Sequence, residues 1–201
     1  MAKSPSTYEL KLISSYAHLA SVAIEKENHS KEIKESNKRL KELATKDYLT
    51  GLYNRSKLDS ALEYQIKHSK RHHSIFGVIM IDIDYFKLVN DEHGHQVGDQ
   101  VLCEFAKVLS DISRQTDVVG RWGGEEFLII IESTNEKGIM NLANKIKETI
   151  EVHDFSVVKH KTASFGVTIH NKDERRNELI SRADKALYKA KHNGRNQVVY
   201  L

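Results

Sequence analysis

Two adjacent glycines, Gly123 and Gly124, sit between apolar, strand-like runs: Val118-Val119 before them and Phe127-Leu128-Ile129-Ile130-Ile131 after. Glycine reaches positive φ without steric cost, so this pair predicts a tight β-hairpin over about 117–132. Glu125 and Glu126 follow at once and project from the tip of that hairpin. Their close negative charges repel unless a cation neutralises them. A bare backbone beside two acids suits a nucleotide phosphate with its Mg²⁺. The same pattern also fits an exposed turn with solvated glutamates.

The 201-residue chain has room for one domain of ordinary size plus an appendage. Hydrophobic residues make up 39% and charged residues 29%, so a packed core is feasible. No apolar run is long enough to span a bilayer, and the start of the chain lacks an apolar signal core. Nothing therefore marks export or a membrane, and a cytoplasmic location is expected. The single cysteine, Cys103, excludes an internal disulfide framework and a multi-cysteine zinc site. It lies in an amphipathic helical pattern and reads as a small buried hydrophobe. With 31 basic and 28 acidic residues the formal charge is +3, too balanced to argue for polymeric nucleic acid as a partner.

Residues from about 8 to 46 contain no Gly or Pro and predict a helix. Leu10, Ile13, Ala17, Ala20 and Ile24 recur at steps of three and four, as in a coiled-coil seam. The register fails through Glu27 and Lys31 and resumes, shifted, at Ile33, Leu40 and Leu43, which fits a local change in winding or two helical segments. Fully helical, the arm would be about 60 Å long. It has no core of its own and needs a partner, for which parallel dimerisation is the expectation; packing on its own domain is the alternative. The expected division is a helical stalk over 1–46 and a folded domain over 47–201.

Within that domain, Thr50-Gly51 supplies a turn and Asn54 caps the next helix, whose apolar face is Leu58, Leu62 and Ile66. Ile75 to Ile81 is a nearly unbroken apolar run, as expected of a strand covered on both faces, and it ends in Asp82-Ile83-Asp84. Gly94 and Gly98 are read as bracketing a loop. Helical stripes follow at Val101 to Ile112, Ile139 to Ile150 and Leu179 to Ala190, the last stopped by Gly194. Strands are expected at 162–169 and from Gln197 to Tyr200. Mixed helices and strands with a hairpin indicate an α/β (α+β) layered domain. Trp122 reads as hairpin packing, His72 and His73 as a solvated connector.

Asp82 falls at the end of the most buried-looking strand, where a carboxylate faces a crevice more readily than a core. Its natural partners are the acids at the hairpin tip. Asp82, Glu125 and Glu126 together offer hard oxygen ligands, suited to Mg²⁺ or Mn²⁺ and ill suited to zinc. Such an ion completes its shell with water and substrate phosphate, so a nucleoside triphosphate is the expected ligand.

The run Asp82-Ile83-Asp84-Tyr85-Phe86-Lys87-Leu88-Val89-Asn90-Asp91, then Gly94-His95, Gly98-Asp99 and Gly-Gly-Glu-Glu-Phe, resembles a GGDEF-family diguanylate cyclase. Asp47-Tyr48-Leu49-Thr50-Gly51-Leu52-Tyr53-Asn54-Arg55 at the entrance and Ala190-Lys191 through Gly194-Arg195-Asn196 near the end extend the resemblance over roughly 47–201. It implies a nucleotide-cyclase-like palm fold, a central mixed sheet flanked by helices. It implies condensation of two GTP into cyclic di-GMP and two pyrophosphates, in a dimer with one GTP per subunit and two Mg²⁺ or Mn²⁺ per active site. By the same resemblance Asp82, the Ile83 carbonyl, Glu125 and Glu126 hold metal, and Glu125 with Glu126 also orients or deprotonates the 3′-hydroxyl. Lys87 neutralises charge on the phosphates. Asn90 and Asp99 read guanine; an ionised Asp accepts from the N1–H and NH₂ of guanine but would face an acceptor on adenine. His95 contacts the nucleotide or supports its loop. Lys191 and Arg195 contact phosphate, although two bases at a helix end also complement its dipole.

Arg114-Gln115-Thr116-Asp117 is an RxxD element, and the resemblance makes Arg114 and Asp117 an inhibitory site for cyclic di-GMP. It further implies a homodimer through the N-terminal helix with facing active sites, in a bacterial cytoplasm, though a longer parent could be membrane-associated. The piece from Tyr8 to Glu25 resembles the last helix of a sensor domain such as GAF, so an upstream sensor is expected. Two other readings stand beside this one: a catalytically silent GGDEF module that senses GTP or cyclic di-GMP, and a structural dimerisation protein.

Overall fold

The computed structural model describes residues 6–201, and the chain divides into two compact units after Ala44. The first is a single helix, α1 (Thr7–Thr45), so the shifted register does not split it. Ser6 and Glu9 cap its start: Glu9 N–H donates to Ser6 Oγ (3.3 Å) and Ser6 N–H to Glu9 Oε2 (2.6 Å), the reciprocal capping box. Leu10, Ile24, Ile33, Leu40 and Leu43 are exposed. The side chains of Ile13, Ala17 and Ala20, three of the expected seam positions, lie outside the described residues.

The second unit is a five-stranded mixed sheet between two layers of helices. The order is β2 (Val118–Gly123), β3 (Glu126–Glu132), β1 (Phe76–Ile83), β4 (Ala163–Ile169), β5 (Val198–Tyr200). β1 pairs antiparallel with both β3 and β4, and β5 joins β4 in parallel. Every residue of β1 is buried, as its unbroken apolar run requires. Its side chains alternate between two cores. Ile79, Ile81 and Ile83 join the cluster built with α4 (His95–Ile112) and α5 (Glu136–Val152); Val78 and Met80 join Leu58 and Leu62 of α2 (Arg55–His72) and Leu179 and Leu187 of α6 (Arg176–His192). Asp82 has the parity of Val78 and Met80, so it projects on the α2–α6 side. α6 lies close on the sheet: a Cβ at Gly166 of β4 would overlap the Ala183 carbonyl and the Leu187 backbone.

One expectation changes. Gly94 and Gly98 do not bracket a loop. Phe86–His93 forms a helix, α3; Gly94 alone turns the chain at φ +81°, and α4 starts at His95. Gly98 therefore lies in the first turn of α4, where its missing Cβ leaves space for the Asn90 side chain. Asn54 caps α2 as expected, accepting from Lys57 N–H at 3.0 Å.

Candidate active site

The hairpin closes through a two-residue turn, Gly124-Glu125, with Gly123 opposite Glu126 and Gly124 at φ +51°. The turn is held from behind. Arg121 Nε donates to the Gly124 carbonyl (2.8 Å), and Arg121 Nη1 reaches Asp47 Oδ1 (3.4 Å). Asp47 also accepts from the N–H (2.9 Å) and hydroxyl (2.7 Å) of Thr50. Burial alone would raise the Asp47 carboxyl; the Thr50 hydrogen bonds and the Arg121 charge outweigh it and hold it below its ordinary value. The entrance motif and the hairpin are thus one scaffold, closed over 74 residues of sequence.

Asp82 stands directly opposite Glu126 in the β1–β3 ladder, on the same face of the sheet. Ile83 N–H approaches the Glu125 carbonyl at 3.4 Å, which brings the turn to the end of β1. Asp82 is buried, and Lys191 from the last turn of α6 places Nζ 2.7 Å from its Oδ2. Burial pushes the Asp82 carboxyl up to about 6; the hydrogen bond and charge of Lys191 oppose that, and Glu125 and Glu126 add to it. Glu126 is also raised, first by burial, then by Asp184 and Glu125, against Lys191 and Arg55. It opens on a polar cleft of about 430 Å³ that includes Arg55, Trp122, Arg176 and Asp184. The Arg55 guanidinium lies over the half-buried Trp122 ring at 4.5 Å.

These residues fit a hard divalent cation in one respect and limit it in another. Glu125 and Glu126 raise the proton affinity of Asp82, and a cation, the Lys191 ammonium, already rests on it. Among the described residues, no group of three or more His, Cys, Asp or Glu could hold a metal by itself. That is compatible with Mg²⁺, which takes one or two carboxylates and otherwise water and phosphate, and not with an all-protein cage.

The remaining expected residues sit on the adjoining elements. Lys87 is exposed in the first turn of α3; Asn90 is half-buried in its last turn, with its side chain against the Gly98 backbone. His95 and Asp99 are exposed in the first turns of α4. Arg195 follows α6, and its guanidinium lies 4.5 Å over the Tyr85 ring. Arg114 and Asp117 form the turn between α4 and β2: Asp117 Oδ2 accepts from Arg114 N–H (2.9 Å), while the buried Asp117 Oδ1 has no hydrogen-bond partner. A cleft of about 410 Å³ opens beside them, lined also by Asn141 and Lys145.

Asp84 belongs to the site and was not singled out from the sequence. It is buried and accepts from Thr162 Oγ1 (2.7 Å), Ser164 Oγ (2.7 Å) and Asn196 N–H (3.0 Å), tying the end of β1 to β4 and to the turn that carries Arg195. Its spacing of two from Asp82 was the available signal. Arg121 and Asp47 gave none, because their pairing exists only in the folded chain.

An antiparallel core strand ending in a buried acid beside an acid-tipped hairpin, under helices on both faces, defines a nucleotide-cyclase-like palm domain. The family described as "Diguanylate cyclase, GGDEF domain" matches residues 44–197, and the chain belongs to that family. It is 36% identical over 198 residues to diguanylate cyclase A of Treponema denticola, covering 95% of this chain and 50% of that protein. The chain spans about half the length of the curated relatives it matches. The solved coiled coil and GGDEF domain of DgcB from Caulobacter crescentus, in complex with c-di-GMP, superposes with a TM-score of 0.82 at 27% identity, covering 94% of this chain and 100% of that one. The active GGEEF domain of a diguanylate cyclase from Vibrio cholerae gives 0.69 at 38% identity, over 73% of this chain and 96% of that one.

Proposed function

We propose that the protein is a diguanylate cyclase that condenses two GTP into cyclic di-GMP. The observation that carries this reading is the meeting of Asp82, the hairpin acids and Lys191 at one end of the sheet. Lys191 is the cation that balances Asp82 in the free protein; with substrate present it would leave Asp82 for a phosphate oxygen. Asp82, the Ile83 carbonyl and Glu125, with Glu126 beside them, would hold two Mg²⁺ or Mn²⁺. Such ions, when bound, polarise the α-phosphate and lower the pKa of the attacking hydroxyl.

The steps assigned to this chain are binding, orientation and proton removal. Asn90 and Asp99 accept from the guanine edge and reject adenine. His95 contacts the nucleotide or supports its loop, and Lys87, Lys191 and Arg195 bind the phosphates. Glu125, with Glu126, takes the proton of a 3′-hydroxyl as its oxygen bonds to the α-phosphorus of the GTP on a second subunit, and pyrophosphate leaves. A second such transfer closes the ring. The two half-sites face each other across a homodimer. Cyclic di-GMP bound at Arg114 and Asp117 holds the half-sites apart and lowers turnover without blocking GTP. On this reading the domain works in a bacterial cytoplasm, and its expected regulator is an upstream sensor.

The test is incubation with GTP and Mg²⁺ and chromatographic resolution of the nucleotides. Cyclic di-GMP is expected from the wild type, and Glu125→Ala should lose at least a hundredfold in rate, the scale on which one group acting in the transition state is felt. GTP binding without product would replace this reading with the silent sensor module; no binding would leave only a scaffold.

A further inference from the structure

We propose that Tyr85 is a positioning residue that holds the Arg195 guanidinium over the phosphate site. This rests on the reading of Arg195 as a phosphate contact. Tyr85 follows Asp84 at the exit of β1 and occupies the N-cap of α3 at φ +56°, with no side-chain cap hydrogen bond. A left-handed backbone is costly for a bulky L-residue, and an Asn or Gly there would serve the turn with less strain. The ring is 56% exposed, so core burial does not account for it either. What the ring does touch is Arg195. The guanidinium carbon lies 4.5 Å from the ring centroid, and Nη1 donates to the Tyr85 hydroxyl at 3.4 Å.

The other end of Arg195 is fixed by the neighbouring residue. Arg195 and Asn196 both have positive φ, +63° and +43°, in the turn that leaves α6. That turn is anchored by Arg195 N–H on the Ala190 carbonyl (3.0 Å) and by Asn196 N–H on Asp84 Oδ2 (3.0 Å). Asp84 and Tyr85 therefore act as a bracket: one takes the backbone of the turn, the other its charged side chain. A guanidinium stacked on an aromatic face gives up only the one long hydrogen bond from Nη1 to the Tyr85 hydroxyl and keeps its other N–H donors for phosphate oxygens, so stacking preorganises Arg195 at little cost in donors. Restricting a long side chain before binding lowers the entropy lost on binding.

The preorganisation acts on ground state and transition state alike, so it should appear in KM and not in kcat. Removing the ring in Tyr85→Ala should raise KM for GTP, and Kd for a non-hydrolysable GTP analogue with Mg²⁺, roughly three- to fivefold. The turnover number should stay within about twofold. Tyr85→Phe should behave as the wild type, since it keeps the face. Tyr85→Gly keeps the left-handed backbone without strain and must reproduce the alanine result, which separates loss of the ring from a misfolded turn. In an Arg195→Ala background, Tyr85→Ala should add nothing. An unchanged KM and Kd in Tyr85→Gly, or an effect that persists without Arg195, overturns the proposal. A wild type that binds GTP but makes no cyclic di-GMP would sink the cyclase reading, while the analogue titration would still decide the role of Tyr85.

Discussion

Asp82 and Asp84 are two residues apart, both buried, and solve the same electrostatic problem in opposite ways. Asp84 is surrounded by three donors from its own chain and is spent on structure. Asp82 has one lysine, one-third exposed, and two acids as neighbours, and is held up near 6. A carboxylate left this short of donors is what a cation-binding site requires and what a purely structural residue avoids. Asp117 is a third case. One oxygen closes its own turn; the other is buried without a partner, and the carboxyl is raised above its ordinary 3.8, first by burial and then, against the help of Arg114, by Glu132. Between 3.8 and the raised value the folded protein holds more protons at this site than the unfolded chain, so stability falls as pH rises through that window, and the full cost persists above it. Asp117→Asn keeps an acceptor for Arg114 N–H and removes the charge. Its melting temperature relative to the wild type should therefore climb as pH rises above 3.8, because the variant has no carboxyl to ionise there. Calorimetry at several pH values checks this, and the same variant should no longer be inhibited by cyclic di-GMP.

At the level of elements, the hairpin, the buried strand and the amphipathic helices were legible because each announces itself within a few residues. Gly123-Gly124 specifies a turn, and the apolar run of β1 specifies two-sided cover. The α3–α4 corner was not legible. Phe86–His93 is too short for its periodicity to separate helix from loop, and Gly98 reads as a loop residue when its role is to make space. The site residues were legible as members of a motif, whereas their supports, Asp84, Arg121 with Asp47, and Tyr85, depend on partners far along the chain. Gly98 links the two kinds of feature. A methyl there would collide with the Asn90 side-chain amide and come within 3.3 Å of Phe86 Cζ. The amide end is flexible, so the cost falls on its aim and not on the fold. Gly98→Ala should fold with little change in melting temperature, since alanine also favours the helix. Its KM for GTP should rise about tenfold, the worth of one specific hydrogen bond. Steady-state kinetics beside a thermal melt decide it; a drop in stability with unchanged KM would mean that Asn90 does not read the base.

The molecule as a whole pairs a packed domain with a helix that has no core. Leu10, Ile24, Ile33, Leu40 and Leu43 are each more than half exposed, two groups of apolar side chains in shifted register that a lone helix in water does not sustain. No helix among the described residues is long and apolar enough to cross a membrane; the cover proposed for these side chains is a protein surface. A second copy of the same helix supplies one. The proposed chemistry needs two half-sites, each with its own GTP, and a helix paired with its copy would convert that encounter from a bimolecular event to an intramolecular one, with an effective concentration on the order of millimolar. Residues 45–201 contain the whole sheet and both of its cores, so this part should fold without the helix. Its rate of cyclic di-GMP formation should rise with the square of enzyme concentration while domains remain monomeric, so its specific activity should climb as concentration increases. The full chain should show constant specific activity over the same range and sediment as a dimer. Equal, concentration-independent specific activities for the two proteins would remove the helix from the catalytic assembly and leave its exposed apolar residues to some other partner.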